Sequence, residues 1–217
     1  MLKYKKLLKN IKRFVSKVVK VKSKKSRSYG VNLWGKPNDA FVKKPYYPGP
    51  HKTVRRYGSD FGKQNLKVQK LKAYYILTAK DLKRKSRKAV ASLKNPVQAL
   101  TSYLECQAYV IVYRAGFAST MFLAKQLVSH GHTLLNGKKI TIKSIILRPG
   151  DKLELSEKAK KIPVVKEFLE SGSRSAPDYL EVNKDQMSIT LKKIPSSADV
   201  PFESDINIAS AIEFYSR

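Results

Sequence analysis

The chain has 217 residues, 42% of them hydrophobic, which is enough for one large or two small domains with a real core over part of the length. Its formal net charge of +29 and pI near 10.1 call for a polyanionic partner, nucleic acid first and an anionic membrane surface as the competitor. A lone cysteine, Cys106, excludes an internal disulfide or a cysteine-paired zinc site, and no apolar run reaches the ~18 residues of a membrane span.

The charge is unevenly spread. Residues 1–100 hold 29 Lys and Arg against 3 acids, and residues 101–217 hold 16 against 13. The polyanion is therefore expected on the first half. The opening stretch "MLKYKKLLKNIKRFVSKVVKVKSKK" has no acid and is weakly amphipathic. It favours lysine where organelle presequences favour arginine, so it reads as a retained basic arm that folds against its partner.

Next comes "YGVNLWGKPNDAFVKKPYYPGPHK", whose Gly and Pro punctuation predicts an irregular, turn-filled segment. Tyr29, Trp34, Phe41, Tyr46 and Tyr47 stand there among lysines. They suit stacking on bases and equally suit a small loop-rich core. Residues 60–93 read as helical: Lys63, Lys67 and Lys70 recur on one face beside Leu66, Leu71, Tyr74 and Tyr75. The run "KDLKRKSRKA" continues the basic character with almost no acid to balance it, which favours phosphate binding.

Asn95-Pro96 opens a new helix through Leu100, Leu104, Ala108, Ile111 and Val112. After the turn "RAGF", Ser119 or Thr120 caps a second helix, "MFLAKQLVSH", which ends at Gly131. "HTLLNGKKI" predicts a hairpin, since Asn136-Gly137 suits a type I′ turn. "ILRPGDKLEL" predicts a turn between two strand-like pieces. Two helices on a small twisted sheet thus form a compact module at residues 97–155. His130 and His132 flank its helix end, too few for a metal site without cysteines or an acidic cluster. Cys106 is expected to be a small buried apolar residue. Asp60, Asp81 and Asp151 are isolated and suit caps or turns, not catalysis.

"VYRAGFASTMFLAKQLVSHGHTLLNGKKITIKSIILRPGDKLEL" resembles the S4-type RNA-binding module, which also occurs in pseudouridine synthases, tyrosyl-tRNA synthetases and a ribosome-binding heat-shock protein. "GVNLWGKPNDAF", "PYYPGPH", "YGSDFGKQNLKVQKLKAYY" and the close "PDYLEVNKDQMSITLKKIPSSADVPFESDINIASAIEFYSR" resemble the family of small-subunit ribosomal protein S4 itself, from about Lys22 to Arg217. "GVNLWG" and "QLVSHGH" lean towards its alphaproteobacterial and mitochondrial branch. The resemblance implies an α+β fold: a mostly helical, basic N-terminal and C-terminal domain with an inserted S4-type module. The expected divisions are a basic extension at 1–21, an rRNA-binding region at 22–96, the module at 97–155, and a segment at 156–217 returning to the first domain.

The resemblance also implies a structural constituent of the small ribosomal subunit, with no catalysis, cofactor or metal. Such a protein binds a five-way junction in the 5′ domain of small-subunit rRNA and helps nucleate assembly. It contacts small-subunit protein S5, with consequences for decoding accuracy, and lines the messenger entry side. Residue by residue, the module's RNA face becomes Arg114, Thr120, Lys125, Gln126, Ser129, His130, Asn136, Gly137 and Lys138, with Lys139 beside them. The N-terminal counterparts are Lys44, Pro48, Gly49, His51, Tyr57, Gly58, Lys63, Lys67, Gln69 and Lys70. Lys22, Lys24, Lys25, Arg27, Lys43, Arg55 and Arg56 add charge, the arginines as forks for phosphate.

Three departures stand out. Gln107 and Tyr109 replace a usual Arg and Asp, Met121 replaces a usual Arg, and "PGPHK" replaces a Pro-Gly-Gln-His-Gly turn. The lysine excess, the extension and the lost charges tilt the expected location to a mitochondrial rather than a bacterial ribosome. The alternatives are an RNA-modifying enzyme using the module as a handle, for which the chain offers no catalytic constellation, and a non-specific polyanion binder.

Overall fold

The computed structural model describes residues 22–34, 39–50, 58–92, 95–163, 165, 168, 175–202 and 206–216, so the extension expected at 1–21 lies outside it. The basic stretch opens as helix α1 (Lys22–Tyr29), followed by the single turn α2 (Ala40–Lys43). Asp39 joins them. Its carboxylate caps α2 by accepting from Phe41 N at 2.8 Å and accepts from Ser26 Oγ of α1 at 3.0 Å, in a buried setting.

The helix expected over 60–93 is two helices, α3 (Asp60–Tyr74) and α4 (Ala79–Val90). Ser59 caps α3 by accepting from Gly62 N, and Thr78 caps α4 by accepting from Asp81 N. Between them Ile76 adopts φ +52°, and Ile76 N and Leu77 N bond back to Ala73 O and Lys72 O. That is a Schellman ending with isoleucine where glycine is the usual residue. The left-handed backbone costs a β-branched residue about 1–2 kcal/mol, and no Gly or Pro marks the break in the sequence.

The helix expected from Pro96 through Val112 also divides, into α5 (Pro96–Glu105) and α6 (Ala108–Arg114). Asn95 caps α5 and Pro96 sits in its first turn, as read from the sequence. At the break, Ala108 N donates to Ile145 O and Leu147 N to Cys106 O, so a loop takes the backbone groups that a continuous helix would pair internally. Helix α7 (Met121–Ser129) starts at Thr120, whose Oγ1 accepts from Leu123 N. It ends at Gly131, φ +71°, with His132 N on Leu127 O and Gly131 N on Val128 O. The side chain of Lys139 lies against Gly131, where a Cβ would collide with its Cε. Gly131→Ala is expected to cost about 1–2 kcal/mol for its left-handed backbone and to push Lys139 aside; urea denaturation checks it.

Strands β1 (Thr133–Leu135), β2 (Lys138–Ile140), β3 (Lys152–Leu155), β4 (Leu180–Asn183) and β5 (Ser188–Leu191) form one antiparallel sheet, ordered β2-β1-β3-β5-β4. Leu135 faces Lys138 across a two-residue turn in which Asn136 (φ +48°) and Gly137 (φ +79°) are both left-handed, as type I′ requires. The sheet runs past residue 155, because β3 pairs with β5 from the following segment. A short helix α8 (Glu157–Lys160) follows β3, and the last helix, α9 (Ala209–Ser216), returns to pack on α3 and α4.

One core runs from Val68 on α3 to Ala211 on α9. Cys106 lies in it as expected, its thiol pushed up to about 12 by burial and then by Glu105. Of the aromatics among the early lysines, Trp34 is buried edge-on to Phe122, with Nε1 donating to Tyr74 O at 3.4 Å. At the centre lies Glu105, fully buried. It accepts from Arg114 Nε (3.0 Å) and Nη2 (2.9 Å), from Tyr179 OH (3.0 Å) and from Tyr75 OH. Arg114 Nη1 adds a bond to Pro201 O.

Candidate nucleic-acid interface

Among the exposed cations, those of α3, α4 and the β1–β2 hairpin concern the site most directly. On α3, Lys63 and Lys67 face solvent and Lys70 is half-buried. Lys63 pairs with Asp60 at 3.1 Å, but both side chains are exposed, so the pair holds the lysine only weakly against a phosphate. On α4 the inward side is Leu82, Ser86 and Ala89, which leaves Lys80, Lys83, Arg84, Arg87 and Lys88 pointing outward. Asp81 is the acid on this helix and touches Arg84 at 3.5 Å. The remaining cation of the run turns in. Lys85 donates to Tyr103 O at 3.0 Å, and burial pushes its ammonium down to about 8.

In the module, Gln126, Ser129 and His130 are exposed on the last turn of α7, and Asn136, Gly137, Lys138 and Lys139 are exposed on the β1–β2 hairpin. Lys139 brings the two elements together by crossing Gly131. The His130 and His132 rings stand 6.1 Å apart on either side of that glycine. Among the described residues, no three His, Cys, Asp or Glu side chains cluster as a metal site, and no helix is long and apolar enough to cross a membrane. Ser129 Oγ donates to Lys125 O, which leaves its lone pairs outward. Asn136 is largely committed to the fold. Its Oδ1 accepts from Lys152 N and its Nδ2 donates to Asp151, which itself closes the Pro-Gly-Asp turn by accepting from Arg148 N.

Two residues expected on the RNA face point elsewhere. Arg114 is 3% exposed and bonded to Glu105 and Pro201, so it is a core ion pair and not a phosphate contact. Lys125 is half-buried, its Nζ donating to Ile76 O at 2.7 Å and lying 5.4 Å from the Tyr109 ring centroid. Burial, and then the charge of Lys143, bring its ammonium down to about 8. Three neighbouring departures also lie inside. Tyr109 is buried with its hydroxyl on Tyr75 O at 2.7 Å, Met121 is fully buried, and Gln107 donates to Leu104 O inside the core. Positions expected to be charged here build the interior.

Towards the N-terminus, Lys24, Lys43 and Lys44 are exposed, while Lys25 is half-buried. Pro48 is half-buried and Gly49 and Gly58 are exposed; Gln69, half-buried, donates to Asn65. Arg27 donates to Tyr46 O at 3.1 Å and lies over the Tyr46 ring, 4.6 Å from its centroid. The Lys22 side chain and residues His51, Arg55, Arg56 and Tyr57 lie outside the described residues. Glu105 was missed as an organising residue because its partners come from positions 75, 114 and 179. Only the notice that an acid sits in an apolar helix face could have flagged it.

A model of the S4 domain matches residues 110–153, and a model of the ribosomal protein S4/S9 N-terminal domain matches residues 17–105. Small ribosomal subunit protein uS4 of Hyphomonas neptunium is 40% identical over 197 residues, 90% of this chain and 96% of the relative. The proteins of the same name from Acidiphilium cryptum and Ehrlichia chaffeensis are 38% and 37% identical, over 94% and 92% of this chain and 100% of each relative. These relatives are bacterial. With the α+β architecture and the hairpin-bearing module in place, the chain belongs to the family of small ribosomal subunit protein uS4.

Proposed function

We propose that this chain is a structural constituent of the small ribosomal subunit that binds small-subunit rRNA, with binding and not catalysis as its role. The observation that carries the reading is likeness to uS4 proteins along nearly the whole chain, well beyond the module that other RNA-binding proteins share. The exposed lysines and arginines of α3, α4 and the β1–β2 hairpin supply affinity by releasing counterions, and they fix register without reading sequence. Specificity comes from the shape of a folded junction and from stacking on unpaired bases.

In finer detail, the target is the five-way junction of the 5′ domain, with protein S5 and messenger near the entry channel as further neighbours. Residues 22–96 and 156–217 are read as the body and residues 97–155 as the module; the two family matches also separate an N-terminal region from the module, but they meet between residues 105 and 110, not at 96. A mitochondrial location rests on the lysine excess, the basic extension and the lost charges, and the bacterial relatives lend it no support.

The test is binding to a small-subunit fragment containing the junction against an unfolded RNA of equal length, over a salt series. Both affinities are expected to fall steeply with salt, with the junction preferred about 10³-fold, roughly 4 kcal/mol. Equal binding at every salt concentration would overturn the reading and leave a non-specific polyanion binder.

A further inference from the structure

The C-terminal end of α3 is finished by side chains from distant parts of the chain. A helix leaves its last carbonyls without internal partners and carries partial negative charge there. Here three successive carbonyls each receive a tertiary donor. Trp34 Nε1 reaches Tyr74 O at 3.4 Å, Tyr109 OH reaches Tyr75 O at 2.7 Å, and Lys125 Nζ reaches Ile76 O at 2.7 Å. The last two donors sit on α6 and α7, the module's helices, and they also touch one another through the Lys125 ammonium over the Tyr109 ring. The carbonyl that Lys125 holds belongs to Ile76, whose left-handed backbone needs outside support.

We infer that Tyr109 and Lys125 fasten the module to the helical body by capping the end of α3, and that Lys125 positions the RNA-binding surface without touching RNA. The inference rests on the rRNA-binding reading for its functional part and deepens it. It divides the module's lysines into those that meet phosphate, Lys138 and Lys139 on the exposed hairpin, and one that sets where those lysines stand. A helix that has spent its cation on a buried carbonyl has none there for a phosphate. The fixed angle between module and body instead determines which RNA strands both can reach together.

Salt dependence separates the two roles, because each phosphate contact adds about 0.7–0.9 to the slope of log K against log salt and a positioning residue adds nothing. Lys125→Met and Tyr109→Phe are measured for junction binding over a salt series. Hydrogen exchange of the Ile76 and Leu77 amides is followed in the free full-length proteins. Both variants are expected to weaken junction binding roughly five- to tenfold, the weight of one tertiary hydrogen bond, with the wild-type slope and with faster exchange at both amides. A slope shallower by about one contact in Lys125→Met would overturn the inference, as would wild-type affinity or unchanged exchange in Tyr109→Phe. Tyr109→Phe removes one oxygen and no charge, so it decides the matter if Lys125→Met does not fold. If wild-type protein shows no preference for the junction, the ribosomal reading fails, while exchange in the free protein still judges the cap.

Discussion

Glu105→Ala is expected to lower the free energy of unfolding by about 3–5 kcal/mol, the usual cost of removing one partner of a buried ion pair. The substitution leaves the Arg114 guanidinium, 3% exposed, facing an apolar core with Pro201 O as its remaining hydrogen-bond partner. It also strands the hydroxyls of Tyr75 and Tyr179. Both phenols are held well above their ordinary range, by burial first and by the Glu105 charge next, so they remain protonated donors. Glu105→Gln is expected to lose nearly as much, since an amide offers one oxygen where the carboxylate offers two. The pair Glu105→Met with Arg114→Met is expected to cost less than either charge-stranding change, because no buried charge is left behind. Urea denaturation of the three variants checks the order; equal costs for the single and double changes would show that packing, not charge, holds this centre.

The largest effect on function is expected from the outer face of α4. Changing Lys80, Lys83, Arg84 and Arg87 to glutamine removes four exposed cations and touches no core contact. If each meets a phosphate, the salt slope becomes shallower by about 3, and junction affinity at physiological salt falls on the order of a hundredfold. Stability stays within about 0.5 kcal/mol or rises slightly, as is usual for exposed sites, because like charges no longer repel along the helix. Filter binding at several salt concentrations and a denaturation curve of the same variant provide the two readouts. A fall in affinity with an unchanged slope would place these residues off the RNA.

Where a local backbone demand chose the residue, the sequence was easy to read. Gly131 and Asn136-Gly137 announce themselves because only such residues take positive φ cheaply, and both turns sit where expected. The Asn95-Pro96 start and the Thr120 cap follow from the same chemistry. Both helix breaks escaped notice because long-range contacts impose them. Ile76 carries a positive φ that its type disfavours, held by burial and a lysine from α7, and Cys106-Gln107 is interrupted by the loop around Ile145. The same limit applied to the site. Residue type and helix face mark Lys125 as a candidate, but whether a four-carbon stem ends in water or on a carbonyl depends on what folds beside it. Arg114 faced inward for the same reason, since the acid awaiting it is nine residues earlier on another helix.

The pairing of β3 with β5 bears on how the protein is made. During synthesis β1, β2 and β3 emerge first, and the free side of β3 has to wait for Ser188–Leu191 before its edge is closed. Glu105 waits likewise for Tyr179 and Pro201 comes later still, while α3 and α4 wait for α9 at residues 209–216. The nascent chain therefore carries an open strand edge until residues 188–191 emerge and an incompletely paired acid until Tyr179 does, a state prone to wrong pairing. Since the basic residues 1–100 precede residues 179–216, a polyanion can meet the unfinished chain before those later segments do, and the order of those two arrivals becomes part of folding.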